Sequence, residues 1–172
     1  MSASTDALLE RLAAAERRLV EHAAGDDRGL PPGLTEPDPG ASERWEAGQV
    51  WAHVAEFPGY WLDQVRSVLA HESKELPHPF GRTKTDPGRL AAIEREQHTD
   101  PRALLARVRD SLAEVTDTVR SLPDAAWTVR GLHATRGDMS VADILERFVV
   151  SHLEEHADQL DGLRRAAFGG SG

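Results

Sequence analysis

The sequence predicts an all-α fold, a bundle of four helices, and three observations carry that prediction. Four long segments place apolar residues at the three- and four-residue spacing of one helical face. Stretches rich in glycine and proline separate them. No segment alternates apolar and polar residues convincingly enough to read as a strand, and no internal repeat is evident. At 172 residues the chain fits a single domain over 1–172, long enough to bury one sizeable core without disulfides.

The first helix is expected over about 5–24, with Leu8, Leu9, Leu12 and Leu19 on one side and Glu16, Arg17 and Arg18 mostly opposite. It stops at Gly25. The connection 25–41 holds Pro31-Pro32-Gly33 and Pro37-Asp38-Pro39-Gly40, so it cannot continue a helix and should cross the outside of the fold. The second helix is expected over about 42–71. Pro58 lies inside it, removes the backbone bond to Val54 and should bend the helix about one turn from His53. Residues 72–100 read as mixed, with Pro77-His78-Pro79-Phe80-Gly81 as loop and 88–97 as a short helix. The third long helix, 101–122, starts from Asp100 as N-cap and Pro101 at the first helical position, and its stripe is Leu104, Leu105, Val108, Leu112, Val115, Val119 and Leu122. After a loop over 123–139 with Trp127, Gly131, His133 and Gly137, Ser140-Val141-Ala142-Asp143 resembles a capping box that opens the fourth helix, 140–168.

Composition narrows the function. A formal charge of −9 and the lack of any lysine or arginine run argue against nucleic acid as a ligand. No apolar stretch reaches the length of a membrane span, and residues 1–6 lack the basic and apolar regions of a signal peptide, so no membrane partner and a cytoplasmic location are expected. With no cysteine, the chain has no disulfide, no thiolate metal ligand and no thiol nucleophile of its own.

The strongest chemical signal is the run Ser151-His152-Leu153-Glu154-Glu155-His156. Val141, Ile144, Leu145, Phe148 and Val149, then Leu160 and Leu163, follow helical spacing, and His152 and His156 fall on the same stripe. Side chains four apart have Cβ atoms about 5–6 Å apart and can grip one ion. His53 lies on the stripe Val50, Val54, Phe57 and Trp61 and is also expected to point inward. Buried imidazoles cost stability unless their nitrogens find partners, and three that converge are explained by a metal. Single inward histidines are more often hydrogen-bonded core residues, and histidine pairs at this spacing arise by chance.

Three imidazoles suit zinc or nickel first, with manganese or iron also compatible, and they leave a position for water or substrate. Glu56 and Gln49 share a helical face with His53, as partners of that ring or as part of a solvated face, and Glu56 is also a candidate catalytic proton acceptor. Glu154, Glu155, Asp158 and Asp161 read as surface charges. His22, His71, His78 and His98 carry no spacing signal, His133 could reach a pocket mouth from its loop, and Trp45, Trp51 and Trp61 read as packing residues.

Trp45–Trp61 (WEAGQVWAHVAEFPGYW) and Gly137–Leu163 (GDMSVADILERFVVSHLEEHADQLDGL) together resemble the DinB-like superfamily of metalloenzymes, also called the YfiT-like or bacillithiol and mycothiol transferase superfamily. Mycothiol-dependent maleylpyruvate isomerase carries a domain of the same kind. The serine before the last helix, the H-x-x-x-H pair and the histidine of W-A-H carry the likeness. The resemblance implies an antiparallel up-down-down-up bundle with a divalent metal on His53, His152 and His156. It further implies a small-molecule thiol as cosubstrate, transferred to an electrophile, and a homodimer as is common in the family. The alanine-, arginine- and aspartate-rich composition looks actinobacterial, where that thiol would be mycothiol. The expectation is therefore a metal-dependent thiol S-transferase. Two alternatives use the same residues: a metal-dependent hydrolase, and a non-catalytic metal-binding or stress-response protein.

Overall fold

A computed structural model describes residues 3–24, 29–37, 43–71 and 77–169. Four long helices form the bundle, and α1, Ala3–Ala23, buries Leu8, Leu12, Ala15, Leu19 and Ala23 at the spacing of one face. The end of the first connection and the expected start of the second helix at Ser42 lie outside the described residues.

Helix α2, Ala47–Ala70, begins later than expected because Glu46 caps it. Gln49 Oε1 accepts from the Glu46 amide at 2.9 Å, so Gln49 serves the cap and is not a partner of His53. The helix runs on through Pro58, which is buried. A Cβ on Gly48 would sit 2.1 Å from the Gln97 carbonyl oxygen, so only glycine lets α2 approach the short helix α3, Pro87–Glu96, this closely. Helix α4, Pro101–Ser121, starts as expected, with the Asp100 carboxylate accepting from Arg102 N at 2.8 Å. Leu104, Val108, Leu112, Val115 and Val119 form its buried face, while Leu105 and Leu122 are only partly buried.

Three short strands correct the expectation of a chain without any. β1, His78–Phe80, pairs in parallel with β2, Arg130–His133, which pairs antiparallel with β3, Gly137–Ser140. Strands of three or four residues are too short to show alternation, and β1 finds its partner some fifty positions along the chain. Within the expected loop 77–81, His78–Phe80 is thereby a strand. A single 3-10 turn, Asp124–Thr128, precedes β2.

The last helix opens at Ser140, whose Oγ accepts from Asp143 N while Asp143 Oδ2 accepts from Ser140 N at 2.9 Å. It runs as α-helix over Val141–Leu145, as π-helix over Glu146–Val150, and as α-helix again over Ser151–Phe168. We call 141–168 helix α5. Helices α1 and α2 each pack against both α4 and α5, which places α1 and α2 diagonally across the bundle. Trp51, Phe57, Leu62, Leu145 and Leu153 are among the fully buried side chains between them. Among the described residues, no helix is long and apolar enough to cross a membrane.

Candidate metal centre

Helix α2 contributes His53 and α5 contributes His152 and His156. One ring nitrogen from each can be chosen so that all three lie within 4.8 Å of one another. The ring centroids are 5.1 Å apart for His53 and His152, 5.0 Å for His53 and His156, and 4.6 Å for His152 and His156. His53 and His156 are buried, whereas His152 is half-buried.

That half-burial follows from the π-helical turn. Upstream of it, α5 buries Val141, Ile144 and Leu145, and downstream it buries Leu153, His156, Ala157, Leu160 and Leu163. At about 100° per residue, the two sets would face directions about one residue apart on an uninterrupted α-helix. The wider π turn absorbs one extra residue and brings both sets onto the same side. Straight periodicity puts His152 near the middle of the buried stripe, but after the π turn Leu153 occupies that place. His152 stands at the margin of the stripe, facing His53 and reachable from solvent.

Aromatic rings wall the three histidines. Phe57 stacks on His152 at 4.4 Å between centroids, and Trp45 stacks on His156 at 5.8 Å and meets His53 edge-on at 5.2 Å. Burial foremost, then the neighbouring His156 and the cations Arg89, Arg82 and Lys84, holds His53 well below the usual imidazole pKa. Burial likewise comes first for His152, followed by His156, His53 and Arg89, with the Phe148 carbonyl pulling the other way. Both rings are therefore neutral at neutral pH, the state in which imidazole binds metal.

Among the described residues, His53 Nδ1 is buried without a hydrogen-bond partner. Glu56 Oε2 is 3.5 Å from His53 Nδ1, too far and too poorly aligned to count as one. The neutral rings of His53 and His152, crowded against His156, are a donor set that fits a divalent cation. With metal–nitrogen bonds of about 2.0–2.1 Å, the ligand nitrogens of one tetrahedral ion lie about 3.4 Å apart, so the rings would turn inward to hold it.

Glu56 is held from its other side. Arg82 closes on both of its oxygens, Nη1 to Oε1 at 2.5 Å and Nη2 to Oε2 at 2.5 Å. The Arg82 guanidinium also lies 3.8 Å over the Tyr60 ring, and Arg89 lies 5.0 Å over Trp45. Arg82 was not legible from spacing, because the segment between β1 and α3 has no periodicity, and the roles of Arg89 and Trp45 depend on how α3 and the start of α2 meet in space.

The remaining expectations resolve differently. His133 is buried on β2 among Trp61, Phe80 and Phe148 and is not one of the three clustered histidines. Glu154 pairs with Arg11, while Asp158 and Asp161 pair with Arg18. His22 binds Asp161, and His71 stacks on His78 at 3.8 Å.

The four-helix order, the small sheet and the three clustered histidines invite comparison with known proteins. The sequence pattern of the DinB superfamily matches residues 2–160. The chain belongs to the DinB superfamily. No curated protein sequence matches it. Among solved structures, this DinB-superfamily chain is similar to YfiT from Bacillus subtilis, named a probable metal-dependent hydrolase with an unusual four-helix bundle topology. The TM-score is 0.69 at 19% identity, covering 96% of this chain and 89% of YfiT. It is also similar to the mycothiol-dependent maleylpyruvate isomerase, with a TM-score of 0.67 at 16% identity over 91% of this chain, and it spans only 60% of the isomerase. The colibactin self-resistance protein ClbS, solved with double-stranded DNA, is similar at a TM-score of 0.66 and 12% identity, covering 94% of this chain and 95% of ClbS. At these identities the likeness is one of fold.

Proposed function

We propose that this DinB-superfamily chain is a metal-dependent thiol S-transferase, with His53, His152 and His156 as the ligands of a divalent ion, zinc or nickel first. The observation that carries the proposal is the convergence of three imidazole nitrogens within 4.8 Å, with His53 and His156 buried and His152 partly buried. A divalent ion held there supplies Lewis acidity and lowers the pKa of a thiol or water.

The chain's own residues do the rest. Trp45 and Phe57 keep water from the inner side, and the open side at His152 admits the reactants. Glu56, gripped by Arg82 and 3.5 Å from His53 Nδ1, is the proton acceptor nearest the three rings in this reading. The thiol comes from outside, because the chain has no cysteine. Its sulfur forms a bond to the carbon of the electrophile, and the thiol proton departs with the leaving group. An acidic chain does not favour nucleic acid as the partner.

Elemental analysis of protein purified without a histidine tag tests the ligand set. Near-stoichiometric metal should be lost in the His152→Ala, His156→Ala variant. Metallated protein should then consume mycothiol in the presence of a chlorinated model electrophile faster than metal-free protein. No rate above the metal-free control rejects thiol transfer.

A second reading is hydrolysis by the same three histidines, with water in place of the thiol. It draws on the similarity to YfiT. Ester cleavage by metallated protein without added thiol distinguishes it.

A further inference from the structure

Helix α1 carries none of the three histidines, yet one of its arginines reaches the helix that carries two. Arg11 Nε and Nη2 bind Glu154 Oε1 and Oε2 at 2.9 and 2.6 Å. Its Nη1 binds Glu146 Oε1 at 2.6 Å, and its Nη2 reaches Ser151 Oγ at 3.2 Å. Ser151 Oγ in turn donates to Glu146 Oε1 at 3.1 Å. Glu146 opens the π-helical turn, while Ser151 and Glu154 lie just beyond its end. One planar guanidinium therefore grips both sides of the turn.

That grip depends on the π turn. At about 100° per residue, Ser151 and Glu154 would stand about 140° and 80° around an uninterrupted α-helix from Glu146. With one residue absorbed by the turn, both stand within about 40° of it, on the face that meets α1. The fork of the guanidinium has fixed geometry, and in this arrangement its nitrogens meet acceptors on both sides of the turn. The same one-residue offset sets where His152 and His156 point.

We propose that Arg11 is a positioning residue for the histidine cluster: its clamp across the π-helical turn holds the phase of α5 that turns His152 and His156 toward His53. The metal consequence rests on the reading of the cluster as a metal site. The hold on the turn does not.

Arg18 supplies the control. It also ties α1 to α5, through Asp158 and Asp161 at 2.5 Å each, but beyond both histidines and within ordinary α-helix. Full-length wild type, Arg11→Ala and Arg18→Ala are compared by zinc titration against a competing chelator. Amide hydrogen exchange over 146–152 and thermal unfolding are measured on the same proteins without metal. Both variants should lose similar thermal stability. Only Arg11→Ala should weaken zinc binding, by roughly tenfold or more, the size seen when a group that orients a ligand is removed. Only Arg11→Ala should speed exchange across 146–152. Glu146→Gln, which loosens one arm of the clamp, should give a smaller fall of the same kind and stands in if Arg11→Ala does not fold. Equal zinc affinity in Arg11→Ala and wild type, or equal losses in Arg11→Ala and Arg18→Ala, overturns the proposal. If wild type takes up no zinc, the metal reading falls and the exchange data decide alone: unchanged protection over 146–152 in Arg11→Ala overturns the clamp.

Discussion

Gln159 Oε1 lies 2.8 Å from His156 Nδ1, three residues further along α5. An amide oxygen only accepts, so Nδ1 carries the ring proton and the lone pair is fixed on Nε2. The contact sets both the tautomer and the tilt of the ring.

Gln159→Leu should therefore weaken metal binding about 10- to 100-fold while leaving the metal-free fold nearly as stable. Chelator competition and thermal unfolding, run side by side, check this. Unchanged affinity would show that the stacked Trp45 ring alone orients His156.

The depressed pKa values of His53 and His152 predict a pH dependence of stability in the metal-free protein. Below the unfolded value near 6.5, the unfolded chain takes up protons that the buried rings refuse. Stability is then full above that value and falls as pH drops from there toward the depressed folded values. The slope approaches about 1.4 kcal/mol per pH unit for each ring. Urea unfolding at pH 7.5 and 5.5 should show this loss, and replacing both rings by glutamine should flatten it.

The Arg82–Glu56 pair is largely buried, with side-chain exposures of 9% and 16%. Removing Arg82 leaves the Glu56 charge buried without its partner and should cost about 3–5 kcal/mol, and removing Glu56 should cost less because Asp86 lies 3.9 Å from Arg82. Arg82→Met with Glu56→Gln should cost clearly less than the sum of the single changes, which a double-mutant cycle by urea unfolding measures. Additive costs would mean that the two residues act separately.

Two glycines should respond in opposite directions to a single methyl group. At Gly48 the new Cβ meets the Gln97 carbonyl, a backbone atom that cannot move aside, so Gly48→Ala should destabilise by about 1–3 kcal/mol. At Gly162, inside α5, nothing lies within 4 Å, so Gly162→Ala should stabilise by up to about 1 kcal/mol. Chemical unfolding midpoints of the two variants check both signs.

The sequence by itself determined the four long helices, the caps at Asp100 and Ser140, and the three histidines that converge. Each of these rests on a local rule, either a hydrophobic period repeated over several turns or a side chain bonding its own helix start. The phase offset in α5 was also written in the sequence, as a buried stripe that moves from Phe148 to Leu153, but straight periodicity passes over it. Only the tertiary structure decided the rest. Strands of three or four residues formed because β1 met β2 across the fold, and Gln49 went to a helix cap instead of to His53. Trp45 became a wall of the histidine cluster, Arg82 took both oxygens of Glu56, and Arg11 closed over the π turn from a helix more than a hundred residues away. Such contacts depend on how helices cross in space, and no local pattern in one chain segment records the charge or ring that another segment will bring to it.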